Sequence, residues 1–245
     1  MKDIYKEFAK FYENLEFGKF DEYAIPYIFQ QLKKLKYKPK KVLDLACGNG
    51  IASVLLAKKG MKVYGLDISR EMLKIAKLRA KKANVRITFI HADMRNFTLP
   101  EKVDLVVSLY DSLNYLLKLE DLEKTFQNVF NVLVPGGIFI FDMNTRETLK
   151  RWDNWVYFNE KYNIVMKGSF NSQANIAKLL IVMFIKKRKN LYKKVTEVHV
   201  EKAYKKSEIR KCLRKVGFRK IHFSEFPPIR RYSLPGRLLC IAIKK

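Results

Sequence analysis

The sequence predicts an α/β protein, a parallel sheet wrapped by helices and followed by an antiparallel β lobe and a short return to the sheet. Three observations predict it. Between residues 41 and 141 short apolar runs alternate with amphipathic stretches, as in successive βαβ units. From residue 155 to 203 helical signals give way to extended segments joined by short polar turns, a pattern that pairs antiparallel. The 245 residues are 48 % hydrophobic and 13 % aromatic, enough to build a core and far too rich for a disordered basic tail.

Parallel strands are expected at residues 42–46, 62–67, 87–91, 103–109 and 137–142. Helices are expected between them at 51–59, 71–83 and 119–133. In the second helix Met72, Leu73, Ile75, Ala76 and Leu78 form an apolar stripe, with Lys74, Lys77, Lys81 and Lys82 outside it and Ser69 placed to cap the start. Pro135-Gly136-Gly137 is expected to stop the third helix and turn the chain into the fifth strand. The lobe reads as strands at 155–162, 164–170, 174–185 and 192–204, with the basic run Lys186-Lys187-Arg188-Lys189 at a solvated hairpin tip. A helix at 207–216, ended by Gly217, and strands at 218–226 and 237–243 complete the chain, with Pro227, Pro228 and Pro235 in the last loop. At the N-terminus Tyr5, Phe8, Phe11 and Tyr12 are spaced as on an amphipathic helix.

The longest apolar run, residues 179–185, is too short to span a bilayer, and the first residues lack the apolar stretch of a signal peptide, so a cytoplasmic protein is expected. Cys47, Cys212 and Cys240 stand apart, which offers neither a disulfide framework nor a metal site. The net charge is +26, and residues 146–245 carry 26 Lys and Arg against 7 Asp and Glu. Such a bias suits a nucleic-acid or acidic partner, or is plain use of lysine as a surface residue.

The segment Val42-Leu43-Asp44-Leu45-Ala46-Cys47-Gly48-Asn49-Gly50 runs from a buried strand through a glycine turn into a helix, in the form D-x-x-x-G-x-G. Glycines there permit a tight turn and close approach of a ligand. Ser53 stands where a dinucleotide fingerprint has its third glycine, which disfavours a nicotinamide or flavin cofactor. Asp67 ends the second strand, where a carboxylate can accept from ribose hydroxyls, and Asp93-Met94 follow the third, where an acid can accept from an adenine amino group.

With the glycine loop, Asp67, Ala92-Asp93 and Leu133-Val134-Pro135-Gly136-Gly137 in this order, the chain resembles the class I S-adenosylmethionine-dependent methyltransferases, in particular the small-molecule branch that includes glycine and amino-sugar N-methyltransferases. The resemblance covers residues 41–145 well, and the region 146–205 is where the family varies. It implies a Rossmann-like seven-stranded sheet in the order 3-2-1-4-5-7-6, with only the last strand antiparallel, and an inserted antiparallel lobe. It implies three regions: 1–145, the N-terminal helix and S-adenosylmethionine-binding core; 146–205, a lobe capping the substrate; and 206–245, completing the sheet. It places Asp44 near the methionine amino group and Ala46 and Gly48 along the methionine portion. Asp67 would hold the ribose, Ile68 would pack on adenine, and Asp93 with Met94 would read its edge. Gly50, Leu109 and Tyr12 complete the expected cofactor site, the N-terminal aromatic helix serving as a lid.

The fourth strand ends in Leu109-Tyr110-Asp111-Ser112-Leu113-Asn114-Tyr115, which lacks the signatures of enzymes that methylate adenine nitrogens or cytosine carbon 5. A small-molecule acceptor, methylated on N or O by in-line displacement, is the expected substrate, and an acidic one would match the basic lobe. RNA guided by that lobe is the second reading, and a non-catalytic nucleic-acid-binding protein the third. Tyr110, Asp111 and His199 are the candidate catalytic residues. On a strand, Glu197, His199 and Glu201 share one face, opposite Val198 and Val200. The apolar strand at 179–185 would also suit pairing with a second subunit.

Overall fold

The computed structural model describes residues 4–12, 15, 19–189, 191–227 and 236–245. Pro228 and Pro235 of the expected last loop lie outside them.

The parallel strands form as their apolar runs dictate: β1 (Lys41–Leu45), β2 (Lys62–Asp67), β3 (Ile87–His91), β4 (Val103–Ser108) and β5 (Leu133–Met143). With β10 (Phe218–Glu225) and β11 (Leu238–Lys244) they make one sheet in the order β3-β2-β1-β4-β5-β11-β10. β11, the last strand of the chain, runs antiparallel to both β5 and β10, and β1 to β5 pair in parallel, as expected. Successive strand residues point to opposite faces. Thus Val42 packs with α2 (Phe20–Lys34) and α3 (Ile51–Lys58) on one side. Leu43 and Leu45 join the core of α5 (Leu119–Val132) and α7 (Lys206–Val216) on the other. α4 (Arg70–Lys82) follows β2, its first turn capped by Ser69, whose hydroxyl accepts from the Met72 N–H at 3.3 Å.

The fifth strand differs from expectation. α5 already ends at Val132, and Pro135-Gly136-Gly137 lies inside β5, where the register against β4 jumps from Val103↔Leu133 to Leu105↔Ile138. Proline has no N–H for the ladder and Gly136 takes φ +77°, so the segment bulges out of the sheet instead of capping the helix.

The N-terminus also differs. Only α1 (Ala9–Tyr12), a single turn, is α-helical among the described residues before α2. α2 itself was not anticipated, although Phe20, Ala24, Ile25, Ile28 and Leu32 repeat at helical spacing on its buried face; Pro26 inside it breaks the usual helix signal.

The lobe is a separate four-stranded sheet in the order β6-β7-β8-β9, made of β6 (Trp155–Phe158), β7 (Tyr162–Asn171), β8 (Ile176–Arg188) and β9 (Leu191–Lys202), antiparallel throughout. The short α6 (Arg146–Leu149) joins it to β5. Its inner face, with Ile164, Met166, Ile181 and Met183, packs against Phe8, Phe11, Tyr12 and Leu15, so the N-terminal segment is clasped between the lobe and Met72 of α4. Lys186, Lys187, Arg188 and Lys189 are exposed at the β8–β9 turn, as expected. Among the described residues no helix is long and apolar enough to cross a membrane.

Candidate active site

The carboxyl ends of β1, β2 and β3 open into a cleft, where ligands of open α/β sheets bind. Asp44, Ala46, Gly48, Asp67, Ile68, Asp93, Met94, Leu109, Tyr110 and Tyr12 all line it. Gly50 does not: it takes φ +78° at the start of α3, and a Cβ there would lie 2.8 Å from the Cβ of Ala76. It is a packing glycine for α4, one step behind the ligand-facing turn. Asp21 of α2, Tyr5, Ser112 and Tyr115 also line the cleft and were not predicted as cofactor contacts.

Asp67 is fixed by the turn it faces. Its Oδ2 accepts from the Gly48 N–H at 2.8 Å and its Oδ1 from the Ser69 N–H at 2.7 Å, so one carboxylate ties the glycine loop to the start of α4. Burial raises its pKa against those hydrogen bonds. Asp44 accepts from the Ser53 hydroxyl at 2.5 Å, and burial pushes its carboxyl up to about 7. Asp93 is held below the usual carboxylate range by Arg95, whose Nη2 donates at 2.6 Å.

These residues fit S-adenosylmethionine. Asp67 keeps acceptor capacity toward the cleft for ribose hydroxyls, Asp44 and Asp21 offer carboxyls to a cationic portion, and Ile68, Met94 and Leu109 give apolar walls. Asn49, which also lines the cleft, has a buried Nδ2 without a hydrogen-bond partner among the described residues.

A second cavity, about 620 Å³, adjoins the cleft and lies between core and lobe. Tyr5, Tyr12, Tyr110 and Tyr115 line both. Asp111, Arg237, Asn144, Glu201 and His199 line the cavity. Tyr110 and Asp111 are consecutive residues at φ +55° and +56°, a strained turn held by Asp142, which accepts from their N–H groups at 2.7 and 3.2 Å. Arg237 Nη1 donates to Asp111 at 2.8 Å and also to Asp142. Asn144 Nδ2 donates to Asp111 at 2.8 Å and to Glu201 at 2.9 Å. Burial, then the neighbouring Asp111, pushes the Glu201 carboxyl well up.

The polar face of β9 is the buried one: His199 is 2 % and Glu201 1 % exposed, against 47 % for Val198. His199 Nδ1 lies 2.9 Å from the Tyr115 hydroxyl, which lies 3.0 Å from that of Tyr5, and His199 Nε2 faces Glu197 at 3.4 Å. Glu197 accepts as well from the N–H groups of Tyr5, Glu7 and Phe8, at 3.0, 2.7 and 2.9 Å. Arg237, Asn144 and Tyr115 carried no signal in the sequence beyond their residue type, because each acts through partners at least 30 residues away.

Residues 42–137 match the family model described as a methyltransferase domain. The Bacillus subtilis protein YqeM, whose name assigns it provisionally to the methyltransferases, is 30 % identical over 225 residues, covering 88 % of this chain and 86 % of its own. The structure of an S-adenosylmethionine-dependent methyltransferase from Clostridium acetobutylicum superposes with a TM-score of 0.77 at 25 % identity over 99 % of both chains. That of the sugar N-methyltransferase KedS8 from Streptoalloteichus superposes with 0.76 at 16 % identity over all of this chain and 94 % of the other. Sheet order, the carboxylates at three successive strand ends and full-length similarity converge on one conclusion: the chain belongs to the class I S-adenosylmethionine-dependent methyltransferases.

Proposed function

We propose that the methyl acceptor is a small molecule held in the cavity between core and lobe, and that its nucleophile is an amine. The observation that carries this is the cavity itself, which adjoins the cofactor cleft through four shared tyrosines and has the volume of a small-molecule site. When bound, S-adenosylmethionine supplies a sulfonium-activated methyl group that a lone pair can displace in line. The protein's part is then to bind, align and exclude water. Asp44, Asp67, Asp93 and Met94, with Tyr12, Ala46, Gly48, Ile68 and Leu109, hold the cofactor. Tyr110 and Asp111 shape the passage to the acceptor, and the β6–β9 sheet caps it.

The cavity's charge argues for an amine over the acidic acceptor that the basic lobe suggested. Of the arginines that line it, Arg237 is already engaged by Asp111 and Asp142 and Arg151 is exposed, while the buried Glu201 carboxyl, pushed up by burial and by Asp111, is a group that a cationic amine would stabilise. Among the described residues no lysine lines it. The lysines that give the lobe its charge lie outside, at the β8–β9 tip and on the exposed sheet face, which also weighs against an RNA acceptor. The likeness to a sugar N-methyltransferase agrees with the amine reading. Incubation with methyl-labelled S-adenosylmethionine and separated metabolite and RNA fractions tests it. Label in an amine-containing metabolite is the expected result, and label confined to RNA would overturn it.

A further inference from the structure

An amine acceptor that arrives as an ammonium ion must lose one N–H proton before its lone pair can attack, and a group of the protein must take that proton. Four side chains from three parts of the chain are joined by hydrogen bonds: Tyr5 from the N-terminal segment and Tyr115 after β4, which line both cleft and cavity, His199 of β9, which lines the cavity, and Glu197 of β9 behind it.

Their hydrogen bonds have one consistent direction. Burial raises the Glu197 carboxyl, but His199 and the N–H groups of Phe8 and Glu7 outweigh it and hold the group below the usual carboxylate range. An ionised carboxylate only accepts, so His199 Nε2, which faces it, carries the hydrogen. Nδ1 is then the acceptor, and the Tyr115 hydroxyl donates to it across 2.9 Å. Tyr115 in turn accepts from Tyr5 across 3.0 Å, which leaves one lone pair on its oxygen. Tyr115 lines both cleft and cavity, so its oxygen stands where an acceptor in the cavity would meet a methyl group in the cleft.

We propose that Tyr115 is a catalytic residue that receives a proton from the acceptor's ammonium group while passing its own hydroxyl proton to His199 Nδ1, with Glu197 as the positioning residue that fixes the imidazole tautomer. The step balances: the N–H bond breaks with its electron pair left on nitrogen, an O–H bond forms and another breaks on Tyr115, and an N–H bond forms on His199. Tyr115 ends as it began, and His199 ends as an imidazolium beside the Glu197 carboxylate. The proton leaves for water when product departs. The proposal rests on the small-molecule amine reading, and it gives Glu197 a second task, because the same carboxylate holds three N–H groups of the N-terminal segment. The segment must therefore be seated for the relay to be complete.

Long-range nitrogen–proton correlation spectra of the histidine-labelled protein with S-adenosylhomocysteine, recorded near pH 8, test the relay without an acceptor. The expected result is the Nε2–H tautomer of His199 in the wild type and a shift of Nδ1 toward a free ring nitrogen in Tyr115→Phe. In Glu197→Gln the other tautomer should appear. An Nδ1–H tautomer in the wild type, or an Nδ1 unmoved in Tyr115→Phe, overturns the proposal. In parallel, methyl transfer is measured with glycine, ethanolamine and glucosamine as probes. For an amine that is turned over, Tyr115→Phe should lower kcat by about 10²–10³ with KM and S-adenosylmethionine affinity within about threefold. Wild-type kcat in that variant overturns the proposal. Failure of every probe amine counts against the amine reading, and the tautomer measurement still decides the relay.

Discussion

Asp44, next to last in β1, lines the cleft proposed for the cofactor, with its carboxyl pushed up to about 7 by burial. The folded protein thus binds a proton there that the unfolded chain releases near pH 4. Between these values the folded state holds more protons, so stability falls as pH rises through the window, and the group's cost is fully present above about 7. We expect the melting temperature of the free protein to fall between pH 5 and 8, and the fall to shrink in Asp44→Asn; scanning calorimetry across that range checks it. Asp67 sets the ligand-facing geometry through its two backbone N–H partners. In Asp67→Ala, affinity for S-adenosylhomocysteine should drop about 10- to 100-fold by titration calorimetry, the loss expected for one or two hydrogen bonds to a charged group. Arg237 is the cation among Asp111, Asp142 and Glu201, flanked by the rings of Phe20 and Tyr110 at 4.9 and 5.3 Å. Arg237→Met leaves buried carboxylates unpaired and should cost about 3–5 kcal/mol in denaturant unfolding.

At the scale of elements, the N-terminal segment shows how local propensity gives way to tertiary contacts. Its aromatic spacing suggests a helix, yet the N–H groups of Tyr5, Glu7 and Phe8 turn to Glu197 of β9, and the aromatic rings pack on the lobe. A carboxylate that collects three N–H donors satisfies the same groups that a helix would leave open at its start. Hydrogen exchange of residues 5–8 should therefore quicken in Glu197→Ala while β1 and β4 remain protected. The loop from β1 to α3 works on the same logic. Gly50→Ala would press a methyl group 2.8 Å from Ala76 at a positive φ, so it should lower stability by about 1–3 kcal/mol and separate α3 from α4. The parallel strands were legible because a buried βαβ strand is a short apolar run whatever lies beside it. α2 was not, because Pro26 interrupts the pattern that its buried residues otherwise keep.

Across the whole molecule, charge and chemistry separate. The chain carries +26, but the cleft and cavity proposed for cofactor and acceptor are lined by Asp21, Asp44, Asp67, Asp111 and Glu201, with Arg151 and Arg237 as their basic residues and no lysine among the described ones. Lysine stays outside because its ammonium is strongly hydrated, whereas carboxyls can enter by taking a proton or a hydrogen-bond donor. The three cysteines are likewise buried and free. What the sequence by itself determined is what depends on neighbours in the chain: the alternation of strands and helices, the Ser69 cap, the glycine turn, and acids at the ends of β1, β2 and β3. The sheet order and the cofactor came from the family resemblance that these motifs carry, which the alternation alone does not supply. Only the tertiary structure decided the acceptor side. Tyr115, Asp142, Asn144, His199, Glu201 and Arg237 lie scattered along the chain, and their protonation and direction follow from burial and from partners that periodicity cannot supply. Nothing in the alternation of β9 says which face is buried, since the polar face becomes the interior only when the lobe folds over the N-terminal segment and the cavity.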